Sequence, residues 1–78
     1  MLFFKDVKVG KTYKIISYPY HTDRRYRSKC MTMGLIKGTV ITVVRVAPLG
    51  DPIQLKVRGY ELTLRVADFS DIIVHEIT

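Results

Sequence analysis

Several features that mark common protein classes are scarce in this sequence of 78 residues. It has one cysteine, Cys30, which excludes an internal disulfide framework and fits a reducing compartment. No apolar run approaches the roughly 18 residues that a membrane span needs. The apolar start, residues 1–4, ends at Lys5 and Asp6, so it is neither a signal-peptide core nor an anchor. We therefore predict one soluble, cytoplasmic domain over residues 1–78.

Acidic residues are also few, seven against 13 basic ones, which gives a net charge of +6. The imbalance lies in residues 1–38, where nine basic residues face only Asp6 and Asp23. A basic half of this kind indicates an acidic partner: nucleic acid, lipid headgroups or an acidic protein face. A charge of this size is also common on small soluble domains, so the interpretation as a plain solvated surface stays open.

Alternating and β-branched runs predict an all-β protein with one short helix. We expect strands over residues 12–17, 39–46, 53–57, 60–64 and 72–77, a helix over 23–33 and a helical turn over 66–70. Arg58 and Gly59 separate two of the strands, which is typical of a hairpin. About five short strands predict a small antiparallel barrel, SH3-like in the first place and OB-like in the second.

The spacing within the predicted helix separates a core face from an outer face. Tyr26, Cys30 and Met33 recur at helical spacing and are expected to face the core. Thr22 is a plausible N-cap, and Gly34 suits the left-handed residue that ends a helix.

The segment from Pro48 to Pro52 has the residues of a stiff loop. Each proline fixes φ and lacks an N–H, while Gly50 supplies a positive φ and Asp51 is able to bond its own turn backbone. Leu49 at the tip is an exposed anchor for a partner or folds back onto the barrel, and the sequence does not decide between the two.

Three runs of this chain resemble the FeoA family: Met33–Thr39, Val43–Ile53 with its APLGDP stretch, and Val57–Arg65 with RGYELTLR. The resemblance implies an SH3-like barrel and a small cytosolic accessory protein of bacterial ferrous-iron transport. It also implies that the chain is not an enzyme and that its partner is the membrane transporter FeoB, whose cytosolic portion carries a GTP-binding domain. Cys30 stands where the family usually has an apolar residue such as leucine, which favours a packing role.

Candidate metal ligands are present, but their spacing predicts no site. Cys30, His21, His75 and Asp23 show no Cys-x-x-Cys, no pair of histidines one helical turn apart and no carboxylate cluster. His75 alternates with Ile73 and Ile77 and is expected at the edge of the core. No nucleophile and base are spaced for catalysis either, so we expect no catalytic residue, no metal and no cofactor.

Two surfaces remain as candidates for partner binding. The first is the stiff loop, with Pro48, Leu49, Gly50, Asp51 and Pro52. The second is the outer side of the helix, with Arg24, Arg27 and Met31. Both would serve a protein partner, the cytosolic part of FeoB, through which alone the chain would reach a membrane.

Two alternatives stay open beside transporter binding. Arg24, Arg25, Arg27 and Lys29 lie near Tyr18, Tyr20 and Tyr26, a mixture that occurs in barrels that bind nucleic acid, although no nucleic-acid partner is expected. The other alternative is an effector-sensing module like the SH3-like domain of iron-dependent repressors.

Overall fold

The computed structural model describes residues 2–17, 24–69 and 71–77, except for the side chain of Tyr26. Within these residues one antiparallel sheet has six strands in the order β1-β6-β2-β3-β4-β5. The strands are β1 (Leu2–Phe3), β2 (Thr12–Ser17), β3 (Val40–Val46), β4 (Ile53–Val57), β5 (Tyr60–Leu64) and β6 (Ile73–Glu76). Two helices, α1 (Arg24–Thr32) and α2 (Val66–Phe69), and a 3-10 turn, Phe4–Asp6, complete the fold.

The strands that the alternation predicts are all present, with bounds that differ by at most one residue at either end. β3, β4 and β5 are adjacent and antiparallel, as expected, and Arg58 and Gly59 join β4 to β5 with positive φ angles of 46° and 89°. The prediction missed β1, whose two residues pair with Val74 and Ile73 of β6. In the described part of the chain, no helix has the length and apolar character to cross a membrane.

The core lies inside the curved sheet. Its side chains are almost fully buried and come from every strand except β1: Phe4, Val7, Tyr13, Ile15, Cys30, Leu35, Ile41, Val43, Ile53, Leu55, Val57, Leu64, Phe69, Ile72 and Val74. Cys30 is 0% exposed, and Met33 packs against the same cluster, which confirms their predicted core face. The side chain of Tyr26 and the residues Thr22 and Asp23 lie outside what the structure describes, so their predicted roles stay predictions.

The end of α1 follows the left-handed pattern that Gly34 predicts. The N–H of Gly34 donates to the Met31 carbonyl at 3.0 Å, and the N–H of Leu35 donates to the Cys30 carbonyl at 2.8 Å. These two bonds, with Gly34 at φ +79°, make a Schellman motif that satisfies the last carbonyls of the helix. The buried Leu35 side chain then fixes the direction in which the chain leaves α1.

Tyr60 fastens the end of α1 to the start of β5. Its hydroxyl donates to the Met33 carbonyl at 2.6 Å and lies over Gly34, where a Cβ would come within 2.6 Å of the hydroxyl oxygen. On the other side, the Thr39 hydroxyl donates to the Gly34 carbonyl at 3.0 Å. The helix end, the turn before β3 and the turn before β5 therefore lie together at one end of the molecule.

Candidate functional site

The connection between β3 and β4 is a closed loop with an exposed tip. The Ala47 N–H donates to the Pro52 carbonyl at 3.1 Å, and the Gly50 N–H donates to the Ala47 carbonyl at 2.8 Å. Gly50 has φ +87°, as its residue type predicts. Leu49 lies at the turn between these bonds and is 96% exposed. The alternative in which Leu49 folds back onto the barrel is therefore wrong.

Asp51 fixes the position of this loop through a hydrogen bond to a residue outside the loop. Its Oδ1 accepts a hydrogen bond of 2.8 Å from the N–H of Val66, the first residue of α2. The first N–H groups of a helix lack partners within the helix, so the carboxylate satisfies one of them. The sequence predicted a bond within the turn, whereas the bond in the structure ties the loop to a segment 15 residues away. Asp51 thus holds the loop in place.

A shallow depression lies beside the loop on the outer surface of the sheet. It has a volume of about 260 Å³ and is lined by Arg45, Ala47, Pro52, Gln54 and Thr63. The Gln54 amide donates to a Glu61 carboxylate oxygen at 2.8 Å. No carboxylate among the described residues forms an ion pair with Arg45. The exposed guanidinium of Arg45 therefore remains available for an anionic group next to the Leu49 tip.

The outer face of α1 is exposed as the helical spacing predicts. Arg24, Arg27, Ser28 and Met31 line a shallow depression of about 310 Å³. Met31 is 66% exposed, and neither arginine forms an ion pair with a described residue. This face combines two cations with one flexible apolar side chain, a composition that suits an acidic protein surface.

The residues considered as metal ligands do not come together in the described part of the chain. Within residues 2–17, 24–69 and 71–77, no three His, Cys, Asp or Glu side chains are placed to hold a metal ion. Cys30 is in the core, while His21 and Asp23 lie outside the described residues. The expected place of His75 at the core edge is wrong, because its side chain is exposed opposite Lys14 on the outer surface of the sheet.

The residues of the nucleic-acid alternative are only partly described. Arg24, Arg25 and Arg27 are exposed, and the Lys29 ammonium lies 5.4 Å from the centre of the Phe69 ring. Lys29 is therefore engaged with the barrel. Tyr18 and Tyr20 lie outside the described residues, so the stacking surface of that alternative stays untested.

Arg45 was not predicted to contribute to the surface beside the loop. Arg45 lies within a run of β-branched residues and was read only as part of a strand. Its place on the outer face of the sheet, beside Gln54, follows from a bulge at Val44, which the register shift between Val43 and Arg45 reveals. A bulge changes the direction of the side chains that follow it, and no feature of the local sequence predicted the bulge at Val44.

The family model of the FeoA domain matches residues 5–76. The chain belongs to the FeoA family. The solution structure of an FeoA-like protein from Clostridium acetobutylicum is 35% identical, with a TM-score of 0.85 over 99% of this chain and 87% of that one. FeoA of Stenotrophomonas maltophilia, described as an SH3 domain protein and solved with zinc, is 17% identical. Its TM-score of 0.72, over 96% of this chain and 91% of that one, shows the same SH3-like fold.

A curated relative is a fusion of two proteins in one chain. It is the Fe(2+) transport protein A/Fe(2+) transporter FeoB fusion protein of Porphyromonas gingivalis, 38% identical over 53 residues. The match takes in 68% of this chain and 6% of that protein. This chain therefore spans only a small part of the relative's length.

Proposed function

We propose that this FeoA chain is a non-enzymatic accessory protein of ferrous-iron uptake that binds the cytosolic part of FeoB and modulates the transporter. The fusion relative supports the pairing, because it carries Fe(2+) transport protein A and the transporter FeoB in one chain. The loop from Pro48 to Pro52 is the primary docking element, and the outer face of α1 contributes electrostatic attraction.

The observation that carries the proposal is the exposure of Leu49 at the tip of a braced loop. A leucine that is 96% exposed contributes almost nothing to the core. Two backbone hydrogen bonds and the Asp51 bond to Val66 hold the loop in one shape. A preorganised loop loses little conformational entropy on binding, so more of the contact energy is available for affinity. Leu49 is thus positioned to enter an apolar socket on the partner.

Arg45 adds a chemical requirement to that socket. Its guanidinium lies in the depression beside the loop, and no described carboxylate pairs with it. We expect an acidic side chain of the partner to enter this depression, because a carboxylate is able to accept two parallel hydrogen bonds from a guanidinium. The partner surface that we propose is therefore an apolar socket with an acidic rim.

The experiment is a binding titration between this protein and the purified cytosolic portion of FeoB, with and without guanine nucleotide. We expect saturable binding, and we expect Leu49→Ala to weaken it by about 1–2 kcal/mol, mainly through faster dissociation. Val9→Ala is the matched control, because Val9 is also exposed, at 57%, and lies outside both candidate surfaces. Its dissociation rate should equal that of the wild type.

Thermal unfolding of the same variants separates docking from folding. Leu49→Ala should unfold within about 0.5 kcal/mol of the wild type, as is usual for a surface substitution. A Leu49→Ala variant that binds like the wild type would remove the loop from the interface. No binding of the wild-type protein to FeoB in either nucleotide state would contradict the proposed function itself.

A further inference from the structure

A second charged surface lies at the opposite end of the β3–β4 hairpin from Leu49. The register pairs Lys14 of β2 with Val40 of β3, and Thr42 of β3 with Lys56 of β4. Arg58 follows β4 directly and lines the same depression as Val40. We call this surface the basic face and define it by Lys14, Lys37, Val40, Thr42, Lys56 and Arg58.

The four cations of the basic face are not neutralised within the described residues. Lys14, Lys37, Lys56 and Arg58 are all exposed, and none forms an ion pair with a described carboxylate. The nearest acidic residue by register is Glu61, opposite Lys56, and its carboxylate accepts a hydrogen bond from Gln54. On the far side, the strand partner of Lys14 is His75, which adds no negative charge. The basic face therefore has a net positive potential toward solvent.

The shape of this face is open and its centre is apolar. A broad, shallow depression of about 500 Å³ lies on this face and is lined by Gly38, Thr39, Val40, Thr42, Lys56, Arg58 and Gly59. Val40 is 43% exposed in the middle of the cations. Among the residues that the structure describes, no aromatic side chain lines the depression, so these residues offer single-stranded nucleic acid no surface on which to stack its bases. An open basic surface around an apolar residue suits a layer of anionic headgroups.

We infer that the basic face binds the surface of a bilayer that contains anionic phospholipids. The four cations would contact headgroup phosphates, and Val40 would rest against the boundary of the acyl chains. The sequence led us to expect that the chain reaches a membrane only through its partner, whereas this face gives it a direct contact. The inference is independent of docking to FeoB, because vesicles without protein test it.

The experiment is cosedimentation of the full chain with vesicles of phosphatidylcholine, alone or mixed with phosphatidylglycerol. We expect binding to the mixed vesicles only, and a decrease as salt rises and shortens the Debye length below its roughly 10 Å at 0.1 M. Since one basic residue near an anionic surface changes the partition about fivefold, Lys56→Gln with Arg58→Gln should reduce binding on the order of 25-fold. Glutamine is preferred to glutamate here because a new acid at position 56 would face Glu61.

The control is Lys5→Gln with Lys8→Gln, which removes the same charge from exposed residues outside the basic face. The turn that contains Lys8 lies toward the other end of β3, because Gly10 donates to the Val43 carbonyl at 2.9 Å. Equal losses of vesicle binding for the two double variants would show that binding depends on net charge alone, and would overturn the inference. Absence of binding to the mixed vesicles at low salt would overturn it as well.

A fluorescence-anisotropy titration with a labelled single-stranded oligonucleotide completes the test. We expect no difference between the wild type and the Lys56→Gln, Arg58→Gln variant. Oligonucleotide binding that the variant abolishes, with vesicle binding unchanged, would assign the face to nucleic acid and overturn the membrane assignment.

Discussion

Gly34 is the residue at which three segments of the molecule meet. It has φ +79°, its carbonyl accepts the Thr39 hydroxyl, and the Tyr60 hydroxyl covers the position that a Cβ would occupy. Glycine is needed here for two separate reasons, a left-handed backbone and a close approach. Only the first reason was visible in the sequence, because the approach of Tyr60 depends on its hydrogen bond to Met33, which lies 27 residues before it.

Substitution of Gly34 tests these two reasons separately. Gly34→Ala should lower the free energy of unfolding by about 2–3 kcal/mol, since it adds backbone strain and displaces the Tyr60 hydroxyl from the Met33 carbonyl. Gly10→Ala is the control, because Gly10 has φ +83° with nothing within 4 Å of its Cβ position, and it should cost only about 1 kcal/mol.

The same comparison in a Tyr60→Phe background isolates the close approach. Without the hydroxyl, the decrease in the free energy of unfolding that Gly34→Ala causes should fall to the decrease that Gly10→Ala causes. Chemical denaturation measures both. A Gly34→Ala penalty that Tyr60→Phe leaves unchanged would contradict the role given to Tyr60.

Asp51 offers a second residue-scale prediction, on the shape of the loop. Asp51→Ala removes the acceptor of the Val66 N–H and should cost about 1 kcal/mol of stability, as loss of a helix cap does. It should also weaken FeoB binding, because the loop loses its preorganisation. Asp51→Asn keeps the Oδ1 acceptor and should preserve both properties. Equal binding by the alanine and asparagine variants would show that the brace does not contribute to docking.

At the scale of elements, the strands were predictable because apolar side chains alternate along them. Residues 53–57 and 60–64 became β4 and β5 at the expected bounds, since each buries one face against the core. β1 was not predictable, because two residues are too short to show alternation and their pairing with β6 is non-local. The bulges at Ile16 and Val44 were not predictable either, because they depend on non-local pairing between strands. The bulge at Val44 determines which face of the sheet carries Arg45.

The outer face of α1 carries an element-scale prediction on binding kinetics. Arg24→Glu with Arg27→Glu should slow association with the cytosolic part of FeoB and leave dissociation nearly unchanged, because exposed charges steer encounter more than they hold a complex. The effect should shrink as salt is raised. Stopped-flow measurements at two salt concentrations check this. Faster dissociation that persists at high salt would make these arginines direct contacts.

At the scale of the whole molecule, the candidate surfaces are spread over the fold. The β3–β4 hairpin carries the Leu49 tip at one end and the basic face at the other, and the end of α1 lies at the basic end through Tyr60. The loop was predictable from its prolines and glycine, but the basic face was not. Its cations come from β2, from the turns that precede β3 and β5, and from β4, and only the sheet order brings them together.

The affinity of the chain itself for Fe²⁺ depends on where its possible ligands lie. We expect the purified protein alone not to bind Fe²⁺ stoichiometrically, since metal binding needs a set of ligands that the fold brings together. Within residues 2–17, 24–69 and 71–77, no such set exists, and the Cys30 thiol is enclosed by core side chains. Anaerobic titration of Fe²⁺ should show no saturation at one ion per chain. A tight site at that ratio, abolished by Cys30→Ala or His21→Ala in a variant that unfolds at the wild-type temperature, would contradict this. The chain would then bind iron directly, and iron would be a candidate signal for the action of the chain on the transporter.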